Sequence, residues 1–327
     1  MFLLNIVILV VGFAALIKGA DLFVDGSASL ARIFRVPAMI VGLTIVAMGT
    51  SAPELAVSTV AAIEGSNEIA VSNVVGSNIF NILMVLGVCA IVRPVPVDAK
   101  VLRKDFTVVT VPTVIVFLLM GGWRLFGGSL FHAEMGAVAG TVTRPIALGL
   151  LAVFIVYIWL LTRQAKKVRR EEEDAFGFKI SRGKCVLLIL LGAAMIVAGG
   201  QAVVYSAKEI ARALGMTETL IGLTVVSVGT SLPELVTSLV AAKKQETELA
   251  VGNVIGSNIF NMLMILGVSA AIHPVTVNVA SVWDLLILLV ITVMTWIFAA
   301  VGKRINRAEG ALMVLVYAGV VAFAILR

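Results

Sequence analysis

The chain consists mainly of long apolar stretches, and this pattern limits its possible folds more than any other feature of the sequence. A helix needs about 20 apolar residues to cross the hydrocarbon core of a bilayer. With 60% apolar and 13% charged residues, the 327-residue chain cannot cover a water-soluble surface. The sequence therefore predicts an all-α integral membrane protein with ten transmembrane helices, at approximately 2–20, 38–63, 69–92, 106–122, 143–162, 184–203, 218–242, 249–272, 281–301 and 309–326.

The Lys and Arg residues are distributed unequally between the two sides of the predicted membrane. Twenty of the 25 lie in or beside the loops that follow odd-numbered stretches. Cytoplasmic loops carry an excess of these residues. We therefore expect both termini to be periplasmic or extracellular, in a multi-pass protein of the inner (plasma) membrane. The charged segment 163–183 is then a cytoplasmic linker.

Two blocks of sequence occur twice, at a constant offset of 180 residues. Residues 42–62 match 222–242 at 14 of 21 positions, and residues 68–88 match 248–268 at 16 of 21. We therefore predict a first five-helix repeat at 1–162 and a second at 184–327. Because five is odd, the second copy enters the membrane from the opposite side. Inverted repeats are typical of secondary transporters, which bind their substrate at the repeat interface.

The motifs GTSAPEL (49–55) and GTSLPEL (229–235) predict a helix break near the middle of a span in each half. Proline removes a backbone donor and clashes with the preceding turn, and glycine loosens the same region. The break should free carbonyl oxygens around Ala47 and Met48 in one half and Ser227 and Val228 in the other. The residues assigned to the breaks are Gly49, Pro53, Gly229 and Pro233.

The same motifs supply oxygen atoms that suit hard cations such as Na⁺ and Ca²⁺. Glu54 and Glu234 place one carboxylate in each half, where insertion into the bilayer costs roughly 2.5–3.5 kcal/mol. Two such carboxylates at equivalent positions indicate a function. Hydroxyl oxygens are added by Thr50, Ser51, Thr230 and Ser231.

A second motif, NVVGSNIFN (73–81) and NVIGSNIFN (253–261), predicts a stripe of oxygen-bearing side chains along a helix in each half. Glycine within it, at Gly76 and Gly256, should let a neighbouring backbone approach closely. The corresponding broken segments would be helices 2, 3, 7 and 8. The stripes consist of Asn73, Ser77 and Asn81, and of Asn253, Ser257 and Asn261, with Asn73 and Asn253 also suited to bracing the breaks.

Motifs for nucleotide hydrolysis, for serine hydrolases and for zinc proteases are absent from the sequence. We therefore expect a protein that is not an enzyme and has no cofactor, no nucleotide and no nucleic-acid partner. The expected partners are transported cations and the lipid bilayer, with the monomer as the functional form.

The paired motifs resemble the two α-repeats of the cation/calcium exchanger superfamily, in particular its bacterial and archaeal sodium/calcium antiporters. The resemblance implies four adjacent cation positions between spans 2, 3, 7 and 8. It also implies that spans 1 and 6 slide across the other eight. In some relatives an Asp stands where this chain has Asn261, so participation of K⁺ or H⁺ stays open.

The resemblance also implies roles for individual residues. Glu54 and Glu234 would bridge most cation positions, and Thr50 and Thr230 would serve the calcium position. Further ligands would be hydroxyls, backbone oxygens and amides, from Ser51, Ser77, Ser231, Ser257, Ala47, Ser227, Asn81 and Asn261.

The functional hypothesis is antiport of Na⁺ against Ca²⁺ by alternating access. Exchange of H⁺ or another divalent cation, a passive cation channel and a structural membrane scaffold are the alternatives.

Overall fold

The computed structural model describes residues 2–97, 105–125, 128–129, 131–171, 181–216 and 227–326. Helices account for most of this chain. In chain order they are α1 (Phe2–Phe34), α2 (Ala38–Val41), α3 (Ala47–Thr50), α4 (Ala52–Ile63), α5 (Asn67–Phe80), α6 (Leu86–Val92), α7 (Phe106–Leu119), α8 (Arg144–Glu171), α9 (Arg182–Ala213), α10 (Ser227–Thr230), α11 (Leu232–Lys243), α12 (Thr247–Ile259), α13 (Leu266–Ile272), α14 (Val279–Gly302) and α15 (Arg307–Leu326).

Seven helices in the described chain are long and apolar enough to cross a membrane, and one bent pair makes an eighth. The seven are Phe2–Phe34, Ile69–Val92, Arg144–Lys167, Arg182–Ala213, Thr247–Ile272, Val279–Gly302 and Arg307–Leu326. The chain is therefore a helical, multi-pass membrane protein. Of the other two predicted spans, α7 has only 14 residues, and 218–242 begins outside the described residues. The count of ten stays a prediction.

Two short antiparallel strand pairs occur between helices and were not predicted. β1 (Val95–Pro96) pairs with β4 (Arg304–Ile305), and β2 (Val138–Val142) pairs with β3 (Val275–Asn278). The strands are two to five residues long. Such short pairs leave too little alternation in the sequence to be distinguished from loops.

The predicted helix breaks are found in the second and seventh stretches. Ser51 separates α3 from α4, and the two helical segments on either side meet at an angle of 50°. Ser231 separates α10 from α11. In both cases proline stands two residues further on, at Pro53 and Pro233, and cannot donate the hydrogen bond that a continuous helix requires.

The prediction that helices 3 and 8 are broken is wrong, because both run through without interruption. Each contains a single π-helical turn, at Asn81–Val85 and at Phe260–Ile265. Neither stretch contains proline, and a glycine costs a helix only about 1 kcal/mol against about 3 kcal/mol for proline. The helices therefore absorb the irregularity as a π-turn, a feature that is frequent at functional sites.

Contacts divide the chain into two compact units, each of which is described by itself. The first comprises Met1–Pro53 and Ile158–Ser257, and the second comprises Glu54–Tyr157 and Asn258–Arg327. Each unit therefore contains segments of both sequence repeats. The two units are defined by contacts and do not coincide with the repeats. The repeat boundaries and the linker at 163–183 therefore stay predictions.

In the first unit, α1 and α9 pack backbone against backbone. A Cβ atom placed on Gly19 would lie 2.9 Å from the carbonyl oxygen of Gly192, and one on Gly199 would lie 2.8 Å from that of Gly12. The order of these contacts makes the two helices antiparallel. Close approach through small residues is a common way for membrane helices to associate.

An ion-pair cluster joins α1 to the residues that follow α11 in the same unit. Lys244 Nζ lies 2.5 Å from Asp21 Oδ1 and 2.7 Å from Asp25 Oδ1, and Arg32 Nη2 lies 3.4 Å from Glu246 Oε1. Burial lowers the pKa of Lys244, but hydrogen bonds to the two carboxylates outweigh that effect and raise it overall. The ammonium group therefore stays charged and holds α1 at this point.

The second unit is held together by close helix packing and by aromatic contacts. A Cβ atom on Gly87 of α6 would lie 2.9 Å from the carbonyl oxygen of Gly310 in α15. Near this contact the rings of Phe80 and Tyr317 meet edge to face, with centroids 5.4 Å apart. α15 therefore packs against α6 and against the end of α5.

We predict that the protein tolerates glycine in place of Ser72 but loses stability when serine replaces the equivalent Gly252. A Cβ on Gly252 would lie 2.6 Å from the carbonyl oxygen of Met39, whereas the equivalent Ser72 is exposed. Gly252→Ser should therefore lower the free energy of unfolding by about 1–3 kcal/mol through overpacking.

Thermal unfolding of the detergent-purified variant, followed by tryptophan fluorescence, measures this effect. The matched control Ser72→Gly should lose only the helix propensity of one residue, about 0.5–1 kcal/mol. Equal midpoints for the two variants would contradict the packing described for Gly252.

Candidate functional site

Two glutamates are fully buried at the start of the helices that follow the breaks. Glu54 lies in the first turn of α4 and Glu234 in the first turn of α11, and both are 0% exposed. No Lys, Arg or His is buried anywhere in the described chain. A buried carboxylate needs a compensating charge or must take up a proton. The described residues offer no buried basic side chain for this purpose, so a metal cation is a natural counter-ion.

Within the first unit, Ser51, Thr50 and Ser257 lie around the Glu234 carboxylate, and Asn253 lies beside its backbone. Ser51 Oγ donates a hydrogen bond of 2.7 Å to Glu234 Oε1. The other carboxylate oxygen, Oε2, has no hydrogen-bond partner among the described residues. Asn253 Nδ2 lies 3.5 Å from the backbone oxygen of Glu234. One carboxylate oxygen is therefore held in place while the other is left for a ligand.

A second group of buried amides lies in the other unit, where α5 meets the end of α12. Asn261 Nδ2 donates to Asn78 Oδ1 at 3.1 Å, and this fixes the orientation of its amide. Its oxygen, Asn261 Oδ1, has no partner in the described chain, and the same holds for both amide atoms of Asn81. These oxygens are buried and available to a cation. Amide oxygens are common ligands of Ca²⁺.

Asn73 and Asn253 make the same contacts in the two repeats. Asn73 Nδ2 donates to Ser58 Oγ at 2.8 Å and to the backbone oxygen of Glu54 at 3.1 Å. Asn253 Nδ2 donates to Ser238 Oγ at 2.9 Å, in addition to its contact with Glu234. The expected bracing of the breaks is therefore observed in both halves.

Two serines complete these braces and were not predicted from the sequence. Ser58 and Ser238 follow the glutamates by four residues, one turn of helix, and are identical in the two matched blocks. The sequence signal that could have identified them is the same small polar residue at equivalent positions of the two repeats. Each serine is fully buried.

The prediction of free carbonyl oxygens is wrong for Ala47 and Val228. The Ala47 oxygen accepts from the Ser51 backbone N–H at 3.0 Å and from the Thr50 hydroxyl at 3.3 Å. The Val228 oxygen accepts from the Ser231 N–H at 3.2 Å. A proline deprives the residue four positions earlier of its donor. Pro53 and Pro233 therefore leave the carbonyls of Gly49 and Gly229 without their helical donors.

Nearly all predicted site residues are buried, whichever unit they belong to. In the first unit these are Ala47, Thr50, Ser51, Thr230, Ser231, Glu234 and Ser257, and in the second they are Glu54, Ser77, Asn81 and Asn261. The side chain of Ser227 lies outside the described residues. Gly256 meets the backbone of Leu43 as predicted, whereas a Cβ added to Gly76 would have no described atom within 4 Å.

The available donor set is composed of oxygen atoms. Carboxylates, hydroxyls and amides are the hard ligands that Na⁺ and Ca²⁺ prefer, and softer metals favour sulfur or imidazole. No group of three or more His, Cys, Asp or Glu side chains is close enough to hold a metal within the described ranges.

Comparison with known proteins agrees with this chemistry. The family model described as "Sodium/calcium exchanger protein" matches residues 4–163 and 184–326. The chain belongs to this family. Residues 164–183, which carry many charges, lie between the two matched parts.

Individual members of the exchanger family are similar along their whole length. CaxA of Alkalimonas amylolytica is 37% identical over 96% of both chains. The sodium/calcium exchanger MaX1 of Methanosarcina acetivorans is 31% identical over 97% of both. The solved structure of the sodium-calcium exchanger NCX_Mj, from crystals soaked with Na⁺ and Ca²⁺, matches with a TM-score of 0.81 at 29% identity over 100% of both chains.

We predict that Ca²⁺ stabilises the purified protein and that Glu234 is required for the effect. A ligand that binds only the native state at 100 times its Kd adds about 2.7 kcal/mol to the free energy of unfolding. Thermal unfolding in detergent should therefore shift upward with Ca²⁺ in the wild type and not in Glu234→Gln.

Glu248→Gln is the matched control, because Glu248 is a solvent-exposed carboxylate on the next helix. It should retain the full Ca²⁺-dependent shift. A shift of wild-type size in Glu234→Gln would exclude this carboxylate from the binding site.

Proposed function

We propose that the protein is a secondary active antiporter that exchanges Na⁺ for Ca²⁺. The observation that carries the proposal is the burial of Glu54 and Glu234 without a buried basic residue in the described chain. Membership of the sodium/calcium exchanger family supports the same conclusion. The transported ions are its substrates, and its activity is transport, with no chemical reaction and no cofactor.

The two carboxylates would together carry a charge of about −2 when ionised. One Ca²⁺ neutralises that charge, and two Na⁺ do so equally. Simultaneous occupancy by both kinds of ion would leave an excess of positive charge in a low-dielectric interior, which is costly. The two ions therefore replace one another, as antiport requires. Transport of more than two Na⁺ for each Ca²⁺ would make the exchange electrogenic.

We assign the remaining ligands by their chemistry and position in the motifs. Thr50 and Thr230 would contribute hydroxyl or carbonyl oxygens to the calcium position, and Asn81 and Asn261 would contribute amide oxygens beside it. The sodium positions would be lined by Ser51, Ser77, Ser231 and Ser257, and by the backbone oxygen of Ser227. The backbone oxygen of Ala47 could join them only after it releases the Thr50 hydroxyl. The carbonyls of Gly49 and Gly229 are further candidates, because proline removes their helical donors.

A ten-helix arrangement with two inverted repeats is part of the proposal. It is supported by a reciprocal contact in the second unit between Asn78 and Asn258, which are equivalent residues 180 positions apart. Asn78 Nδ2 donates to the backbone oxygen of Asn258 at 3.3 Å, and Asn258 Nδ2 donates to that of Asn78 at 3.4 Å. Reciprocal contact between equivalent residues is the property of a two-fold axis.

The proposal extends to the conformational cycle and to the setting in the cell. The backbone packing of α1 on α9 favours their movement as a single body during alternating access. A sodium gradient is useful only across a membrane sealed to ions, so we place the protein in the inner (plasma) membrane. Both termini would be periplasmic or extracellular and the linker cytoplasmic, and a monomer would suffice for transport.

The test is flux into proteoliposomes loaded with Na⁺. We expect radiolabelled Ca²⁺ uptake that requires an outward Na⁺ gradient, and we expect Glu54→Gln and Glu234→Gln each to abolish it, because each removes a charge that balances Ca²⁺. Size-exclusion profiles like that of the wild type would establish that the variants are folded. Full flux in either variant would contradict the assignment.

Gradients applied separately distinguish the alternatives. Uptake driven by a pH gradient without Na⁺ would indicate proton/calcium exchange, and a K⁺ requirement would indicate co-transport of K⁺. Conductance far above the turnover of a carrier would indicate a channel.

A further inference from the structure

We propose that ion pairs between α1 and the turn after α11 form a latch, which stabilises the access state that is closed on the cytoplasmic side. The inference rests on the proposed function, because it concerns the two access states of an antiporter. The latch joins three basic and three acidic side chains of the first unit. They are Lys18, Asp21, Asp25 and Arg32 on α1, and Lys244 and Glu246 in the turn.

Lys244 is the centre of the latch. Its ammonium group lies 2.5 Å from Asp21 Oδ1 and 2.7 Å from Asp25 Oδ1, and it donates a hydrogen bond of 3.2 Å to the backbone oxygen of Asp21. Lys18 Nζ lies 2.8 Å from the other oxygen of the Asp21 carboxylate. A single exposed ion pair contributes little to stability, whereas charges that form a network contribute more. The two aspartates are one helical turn apart, so Lys244 is held by successive turns of α1.

A second ion pair fixes the same turn further along α1. Arg32 Nη2 lies 3.4 Å from Glu246 Oε1. At 1.5 Å per residue, Arg32 is about 16 Å further along the helix axis than Asp21. Movement of α1 past the turn must therefore break both contacts.

The 180-residue offset of the two repeats also relates α1 to α9. Gly19 meets Gly192, and Gly199 meets Gly12. Each of these contacts becomes the other when 180 is added to one residue number and subtracted from the other. Reciprocal contact between equivalent residues is the property of a two-fold axis. Each latch residue therefore has a defined counterpart, on α9 or in the turn after α4.

The counterparts of the latch residues cannot form equivalent ion pairs. Where an ammonium group meets two carboxylates in the latch, the counterparts are a carboxylate, an amide and a phenol. Where a guanidinium meets a carboxylate, the counterparts are a guanidinium and a hydroxyl. The counterparts of Lys18, Asp21, Asp25, Arg32, Lys244 and Glu246 are, in that order, Ala198, Gln201, Tyr205, Arg212, Glu64 and Ser66.

This difference between the repeats makes the two access states unequal. In an inverted-repeat transporter, exchange of conformations between the repeats converts a site open to one side into a site open to the other. The turn after α11 belongs to the same compact unit as α1 and α9, whereas the turn after α4 belongs to the other unit. In the exchanged state α9 would meet the turn after α4, where no equivalent ion pairs form. The latch therefore stabilises one state only.

The position of the latch determines which state this is. The turn after α11 carries Lys243 and Lys244 and is one of the loops that the distribution of basic residues assigns to the cytoplasm. The latch thus holds α1 in place on the cytoplasmic side. When only a fraction of the protein can bind an ion from one side, the apparent affinity on that side falls in proportion to the fraction. The latch should therefore raise the KM for Ca²⁺ at the cytoplasmic face.

The experiment measures Na⁺-dependent uptake of radiolabelled Ca²⁺ in inside-out and right-side-out membrane vesicles, which expose the cytoplasmic and the opposite face. Lys244→Gln should lower the KM at the cytoplasmic face about fivefold, because loss of the shared cation raises the competent fraction. The KM at the other face should change less than twofold.

Lys243→Gln is the matched control, because it removes the same charge from the neighbouring, exposed residue. It should leave both KM values unchanged. An unchanged cytoplasmic KM in Lys244→Gln, or equal changes at the two faces, would overturn the proposal.

Exchange of charges in the second pair separates ion pairing from local charge. Glu246→Arg places two guanidinium groups side by side and should lower the cytoplasmic KM. Combination with Arg32→Glu restores opposite charges and should return the KM to within twofold of the wild type. A double variant that keeps the KM of Glu246→Arg would contradict a latch made of ion pairs.

Failure of the proposed function would look different, because the wild type itself would show no Na⁺-dependent uptake in either kind of vesicle. The latch is then tested in purified protein by the distance between spin labels on cysteines introduced at Ser29 and Glu248, since both native cysteines are buried. Lys244→Gln should add a longer distance to the distribution, and Lys243→Gln should not. A distribution that Lys244→Gln leaves unchanged would refute the latch.

Discussion

Two carboxylates buried in a helical membrane protein, without buried basic residues in the described chain, are the constraint on which the other features depend. An uncompensated carboxylate in such an interior is unstable. The surroundings of Glu234 stabilise its carboxylate in part, because Ser51 donates a hydrogen bond to one of its oxygens. The remaining charge calls for a cation. In the proposed function that cation comes from solution, so the buried charge that lowers stability would also create the binding site.

The helix breaks and their asparagine braces lie next to the two buried glutamates. Proline interrupts the helix just before each glutamate, and an asparagine one helix further on holds the backbone oxygen of that glutamate. Backbone irregularity at membrane depth is tolerated only where protein or a cavity satisfies its polar groups. Asn73 and Asn253 provide such hydrogen bonds to the backbone oxygens of the two glutamates. Asn253 additionally accepts a hydrogen bond of 3.0 Å from the Thr50 hydroxyl.

Much of this could be predicted from the sequence, because the determining signals are local. Apolar stretches of span length and the prolines within them identified seven spans, the bent pair and both breaks, and the repeat singled out Glu54 and Glu234. The π-turns in helices 3 and 8 could not be predicted. They depend on how α5 and α12 pack, and the sequence offered only the glycines, which suggested breaks. The capture of the Ala47 carbonyl by Ser51 was likewise missed, since it requires the geometry of the bend.

Direct competition between the two ions tests whether one pair of carboxylates holds either Ca²⁺ or Na⁺. Equilibrium binding of radiolabelled Ca²⁺ to the purified protein should be measured at increasing Na⁺ concentration and constant ionic strength. We expect complete displacement of Ca²⁺, with a Hill coefficient for Na⁺ above one because at least two Na⁺ replace each Ca²⁺. Calcium binding that is insensitive to Na⁺ would contradict a shared site.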